Sequence, residues 1–250
     1  MAGPEFLKTA QGRTLAYHCT QGTGPTVVFL GGLKSDMEGT KAIHLETWCA
    51  ARGQAFLRFD YSGHGESSGR FEEGCIGDWA QDTAAALDAL TTGPLIVVGS
   101  SMGGWQAVLF ARSQPRRIAG LVTIAAAPDF TEDGYAASFT DAQWAALKRD
   151  GQVEMPSDYM EPYIITRRLI EDGRDNLVLR TPLSLPFPVR CLQGTDDSAV
   201  STETAVRLLE HAESPDMRLT LVKGADHRFS DGPCLRLIEA AILDVMEPRT

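Results

Sequence analysis

The stretch that most constrains this chain is Leu95-Ile96-Val97-Val98-Gly99-Ser100-Ser101-Met102-Gly103-Gly104-Trp105. Four apolar, partly β-branched residues after Gly93-Pro94 predict a strand buried on both faces of a parallel sheet. Beyond it Trp105, Val108, Leu109 and Ala111 recur at helical spacing until Pro115. The turn between strand and helix must be tight, and glycine at 99 and 103 supplies the clearance. Such a turn lifts the Ser101 hydroxyl above the sheet, beside helix N–H groups that can stabilise a negative oxygen. Gly-x-Ser-x-Gly alone is common. Placed between a buried strand and a helix, it predicts a nucleophilic serine.

The rest of the chain repeats that rhythm. Glu5–Thr9 and Arg13–Cys19 predict an antiparallel hairpin at a sheet edge. Buried strands follow at 26–30, 54–60 and 120–126. Helices are predicted from Thr40 to Gly53 and along Ile76, Trp79, Thr83, Leu87 and Leu90, which keep a 3.6-residue period. Alternating strands and helices imply an α/β class with a mostly parallel central sheet flanked by helices.

The rhythm breaks between Pro128 and Pro188. That region offers three short candidate helices, Asp141–Asp150, Pro162–Asp172 and Asp175–Arg180, and no strand of its own. It predicts a small helical cap, 129–187, inserted over the carboxyl ends of the strands, where ligands of open α/β sheets bind. The sheet resumes at 189–192 and 218–222, with helices Thr202–His211 and Cys234–Val245. Residues 1–250 are thus expected to form one domain.

A serine hydroxyl needs a base to take its proton, and the base needs a third group to orient it. Asp196 and Asp197 follow the strand ending Leu192-Gln193-Gly194, and His227 follows the strand ending Val222-Lys223. Serine, acid and histidine therefore come in order, each just past the end of a successive strand. The other histidines, His18, His44, His64 and His211, read as structural, with only His64 near the expected pocket. A tetrahedral intermediate needs two N–H donors, and Met102 and Leu33 are the candidates. Trp105, Trp144 and Tyr163 are candidates to line an apolar acyl pocket.

Composition narrows the partners. A formal net charge of −10 argues against nucleic acid or an anionic membrane as the main partner, and no run approaches a membrane span. Five scattered cysteines form no zinc-like group, so neither a metal nor a cofactor is expected, and a reducing compartment is. Oligomeric state leaves no trace in the sequence.

Gly39-Thr40-Lys41-Ala42, Arg58-Phe59-Asp60-Tyr61-Ser62-Gly63, Val98–Trp105, Met155-Pro156-Ser157 and Asp226-His227-Arg228 together resemble the α/β-hydrolase superfamily. More narrowly the chain resembles the branch of α/β-hydrolase domain-containing protein 10, made up of acyl-protein thioesterases that also hydrolyse acyl glucuronides. The resemblance implies an α/β-hydrolase fold and a serine esterase or thioesterase working through an acyl-enzyme. It selects Asp197 rather than Asp196 as the acid, with Ser101 as nucleophile and His227 as base. Gln193 departs from the histidine of many relatives. The start close to the first strand, without an Arg- and Ser-rich leader, favours a cytoplasmic enzyme. Rival readings on the same fold are carbon–carbon bond hydrolysis, a slow-turnover ligand receptor, and an aminopeptidase. The last would need acidic residues gripping the substrate amine, with Glu154, Asp158 and Glu161 as candidates.

Overall fold

The computed structural model describes residues 3–155 and 162–247. The chain opens with β1 (Glu5–Lys8) and β2 (Thr14–Thr20), paired antiparallel with Glu5 opposite Tyr17. Then come β3 (Thr23–Leu30), α1 (Thr40–Ala51), β4 (Gln54–Phe59), α2 (Ile76–Leu90), β5 (Leu95–Ser100), α3 (Met102–Ser113) and β6 (Ile118–Ile124). After β6 the chain leaves the sheet for α4 (Asp141–Asp150), β7 (Gln152–Met155), β8 (Tyr163–Thr166), α5 (Arg167–Asp175) and β9 (Leu183–Ser184). It returns as β10 (Val189–Gly194), α6 (Thr202–His211), β11 (Ala212–Glu213), β12 (Met217–Val222) and α7 (Gly232–Met246).

Among the described residues, eight strands form one sheet in the order β1-β2-β4-β3-β5-β6-β10-β12. Only the β1–β2 and β2–β4 pairings are antiparallel. β5 lies between β3 and β6 with all six of its residues buried, which explains its nearly unbroken apolar run. Alternate side chains serve opposite faces. Val27, Phe29, Ile96 and Val98 meet α1 and α7 through Leu45, Cys49, Ile238 and Ile242. Val28, Leu30 and Val97 belong to the core on the other face, with Trp79 and Leu87 of α2 and Trp105 and Val108 of α3. Each of these large side chains contributes about 1.5–3 kcal/mol by leaving water, so β5 and the turn after it stand on a rigid base.

The segment between β6 and β10, expected to hold no strand, carries the short strands β7, β8 and β9, and two of its three expected helices differ as well. Helix α4 has the expected bounds, held by a capping box between Thr140 and Gln143 and closed by left-handed Gly151. Residues 163–166, expected to open a helix, instead pair antiparallel with β7, Val153 opposite Ile165. Tyr-Ile-Ile-Thr is aromatic and β-branched, a composition that suits a pleated ladder better than a helical turn. Helix α5 therefore starts only at Arg167, where the Thr166 side chain accepts from the Leu169 N–H.

The expected helix at Asp175–Arg180 is absent. Asp129, fully buried and left-handed at φ 59°, accepts from the Val178 N–H at 2.8 Å and the Leu179 N–H at 3.0 Å. Arg180 closes the group with a 2.7 Å ion pair to the same carboxylate. A carboxylate thus satisfies the donors that a helix would have used.

Candidate active site

Ser101 sits in the turn between β5 and α3 at φ 55°, ψ −121°. Non-glycine residues rarely adopt that conformation, and here the neighbours enforce it. The Ser101 N–H donates to the Ile124 carbonyl at 2.9 Å, and the Ser101 carbonyl accepts from Gly104 and Ala127. A side chain at Gly99 would overlap the Gly103 carbonyl, and one at Gly103 would overlap the Leu30 carbonyl. The two glycines are needed because backbone passes where a Cβ would stand.

His227, in the loop after β12, places its Nε2 3.1 Å from Ser101 Oγ and its Nδ1 2.8 Å from Asp197 Oδ2. Asp197 belongs to the loop after β10, and its side chain is 1% exposed. Its Oδ1 accepts from the N–H groups of Ala199 and Val200, while Gln193 donates to Oδ2 at 2.9 Å. Burial alone would raise this carboxyl, but the hydrogen bonds from His227, the Val200 N–H and Gln193 outweigh it and hold the group below its ordinary value. Asp196 is exposed, and its side chain accepts only a long 3.3 Å bond from Thr195 among the described contacts. The two loops are latched together, since the Asp196 N–H donates to the Ala225 carbonyl.

Ser101 and His227 face a cavity of about 590 Å³, a size suited to a small-molecule ligand. Leu33 and Met102 line the cavity together with the serine. The loop carrying Leu33 runs so close that a Cβ on Gly32 would stand 3.3 Å from the Ser101 Cβ. Phe130, Tyr135 and Tyr163, all from the segment between β6 and β10, form an aromatic wall.

The other two expected pocket aromatics lie elsewhere. Trp105 is fully buried, donates its indole N–H to the Asn176 carbonyl at 3.1 Å, and supports the wall from behind through an edge contact with Phe130. It sits on the buried side of α3, which turns it into the core. Trp144 is 36% exposed and packs on Phe139 rather than on the cavity. Glu154 is exposed and lines no part of the cavity, while Asp158 and Glu161, with Pro156 and Ser157, lie outside the described residues.

Several contributors had no role assigned from the sequence, although Arg58, Asp60, Lys41 and Arg228 stand in the motifs quoted above. Asp60 accepts from the Met37 N–H at 2.6 Å and from the Glu66 N–H at 3.0 Å, and so ties the end of β4 to the loop that carries Leu33. Burial raises this carboxyl above its ordinary value. Buried Arg58 reaches the same loop through the Met37 carbonyl and pairs with Glu46. Their signal was present as charges inside an apolar strand, a pattern that requires partners. Lys34, Lys41 and Arg228 also line the cavity, which periodicity cannot reveal. His64 stays structural, caged edge-on by Tyr61, Phe71 and Trp79. Among the described residues no group of His, Cys, Asp and Glu is arranged to hold a metal, and no helix is long and apolar enough to cross a membrane.

A family model described as serine aminopeptidase, S33, matches residues 24–159. The palmitoyl-protein thioesterase ABHD10, mitochondrial, of Bos taurus is 34% identical over 247 residues, 97% of this chain and 79% of the relative. The crystal structure of a putative hydrolase from Agrobacterium vitis S4 superposes with a TM-score of 0.93 at 37% identity, over 98% of both chains. Mouse α/β hydrolase domain-containing protein 10 superposes with a TM-score of 0.90 at 32% identity, again over 98% of both. The expectation of a cytoplasmic enzyme is corrected by these relatives, whose thioesterases are named as mitochondrial in cow, rat and mouse. An import leader takes no part in such a fold, so the features of the folded chain do not report its compartment. On the matched family model, the full-length relatives and the fold they share, this chain belongs to the α/β-hydrolase family and is related within it to the ABHD10 thioesterases.

Proposed function

We propose that this chain hydrolyses acyl esters and thioesters through an acyl-enzyme on Ser101. The observation that carries the reading is the line from Ser101 Oγ to His227 Nε2 at 3.1 Å and from His227 Nδ1 to Asp197 Oδ2 at 2.8 Å. In it Ser101 Oγ attacks the acyl carbonyl while His227 Nε2 takes the hydroxyl proton. Asp197 keeps the other ring proton on Nδ1 and stabilises the imidazolium as it forms. The N–H groups of Leu33 and Met102 receive the negative oxygen. His227 then gives its proton to the departing alcohol or thiol, and water activated by the same ring frees Ser101 and the acid.

In this account 1–250 works as one domain and 129–187 as its cap. The aromatic wall of Phe130, Tyr135 and Tyr163 suits an acyl chain, and the naming of the bovine relative as a palmitoyl-protein thioesterase supports a long one. Aminopeptidase chemistry is disfavoured by the lining: Asp36 is the one carboxylate on it among the described residues, against the cations Lys34, Lys41 and Arg228. An ammonium group would meet like charges there.

Profiling against nitrophenyl esters and acyl-thioesters of increasing length tests the reading. Each methylene that enters the wall contributes about 0.8 kcal/mol, nearly fourfold in kcat/KM, until the pocket is full. A rate that falls steadily beyond acetyl would contradict an extended acyl pocket.

A further inference from the structure

Phe130, Gly134 and Tyr135 line the cavity together. Gly134 and Tyr135 lie in the helical turn Thr131–Ala136, and Phe130 stands at its start. Ion pairs pin this turn to its neighbours. Glu132 meets Arg174 at 2.7 Å, and Asp133 meets Arg207 at 2.7 Å and also Arg180. The rings are held as well, since Phe130 meets Trp105 and Tyr135 edge-on, each at 5.5 Å between ring centres. Gly134 is the unexpected residue here. Glycine inside a helical turn costs stability relative to alanine, because it gives up the most backbone freedom on folding. A left-handed backbone, or a neighbour standing where a Cβ would go, can require it. Neither holds at 134. Its φ lies outside the left-handed region, and a Cβ would meet only the Phe130 Cβ, at an ordinary 3.8 Å. The other glycines on the lining among the described residues, Gly31, Gly32 and Gly39, belong to the loop between β3 and α1. What the missing side chain leaves is room, because Gly134 is exposed on the cavity lining beside two aromatic residues.

We propose that Gly134 is the residue that sets the longest acyl chain this enzyme accepts. Its bare backbone leaves the space that a chain lying on the Phe130 and Tyr135 rings would fill, and a side chain at 134 would take that space. The proposal rests on the reading of the aromatic wall as the acyl site, and it adds the position that limits the chain. A turn pinned by ion pairs and packed rings has little freedom to retreat from an added side chain. The substrate, rather than the protein, therefore gives way.

Butyryl, hexanoyl, octanoyl and decanoyl thioesters of 2-methoxyethanethiol test this, read as the decanoyl-to-butyryl ratio of kcat/KM within each protein. Gly134→Leu adds about four carbons to the cavity and should lower that ratio about 10²-fold. Gly134→Ala adds one and should lower it about fourfold. A ratio within one protein cancels any general loss of activity, and alanine, which suits a helical turn, keeps the test decisive if the fold refuses leucine. Butyryl thioesters of 2-methoxyethanethiol and of thiophenol supply the second arm. The ratio between these two thiols should be the same in the natural chain and both variants. If it shifts while the acyl ratio stays fixed, Gly134 faces the leaving group and the proposal is overturned. Equal acyl ratios in all three proteins, with a natural rate that rises with length, would overturn it and leave the acyl-pocket reading standing. A natural rate that falls steadily from butyryl onward would defeat both.

Discussion

The Gln193 side-chain amide donates to Asp197 Oδ2 at 2.9 Å, and that same oxygen lies 2.8 Å from His227 Nδ1. One carboxylate oxygen therefore takes a structural and a functional hydrogen bond. The Gln193 nitrogen also reaches the Val200 carbonyl at 3.0 Å, bracing the loop from both ends. Replacing Gln193 by Leu should lower kcat about tenfold, the scale of losing one oriented neutral hydrogen bond. Gln193→His, which keeps a donor, should retain most of the rate. Steady-state kinetics of the two variants on one thioester decides it; equal losses would mean that the donor is irrelevant.

Adjacent aspartates should separate cleanly. The Asp197 side chain is buried and faces His227, whereas Asp196 is exposed. Asp197→Asn should cost about 10⁴-fold in kcat with the fold intact, because the amide holds the wrong tautomer. Asp196→Asn should be near neutral, within about 0.5 kcal/mol in stability. Reversed effects would move the acid by one residue.

How much of this site was legible in the sequence follows from what each signal depends on. Ser101, the Asp196-Asp197 pair and His227 could be placed because each follows the end of a successive strand, while the choice of Asp197 within the pair came from the family resemblance. Trp105 misled because helical spacing gives a side chain's face but not which neighbours stand there. The strand at 163–166 was missed although its β-branched run was visible, since its partner β7 lies across a break in the pattern. The turn at 175–180 depends on Asp129, some fifty residues upstream, and no local rule carries that contact.

The buried Asp129 offers a test of how the segment after β6 is held. Asp129→Ala would strip the Val178 and Leu179 N–H groups of their acceptor and leave Arg180 with Asp133 alone of the pair it now bonds. A loss of about 3–5 kcal/mol is expected for breaking such a buried charged group. Hydrogen exchange should show it first at residues 177–180. Undiminished protection there would show that packing alone holds the turn.

His64 should make the fold sensitive to acid. Burial lowers its imidazole from the ordinary 6.5 to about 4, partly offset by its bond to the Ser62 carbonyl. The unfolded chain then binds a proton between pH 6.5 and 4 that the folded chain refuses. Stability is complete above 6.5 and falls as pH drops toward 4, by about 3 kcal/mol. Denaturant melts across this range should slope less in His64→Phe. An unchanged slope would place the acid sensitivity in other groups.

The central claim is that Ser101 is the nucleophile, and covalent capture tests it most directly. A fluorophosphonate probe followed by peptide mass spectrometry should add one adduct, on Ser101. Ser101→Ala should lose that adduct together with at least ~10³-fold in kcat, any residual rate coming from binding and the N–H donors. Undiminished labelling of the Ser101→Ala protein, or turnover that survives it, would contradict the account and place the chemistry on another residue.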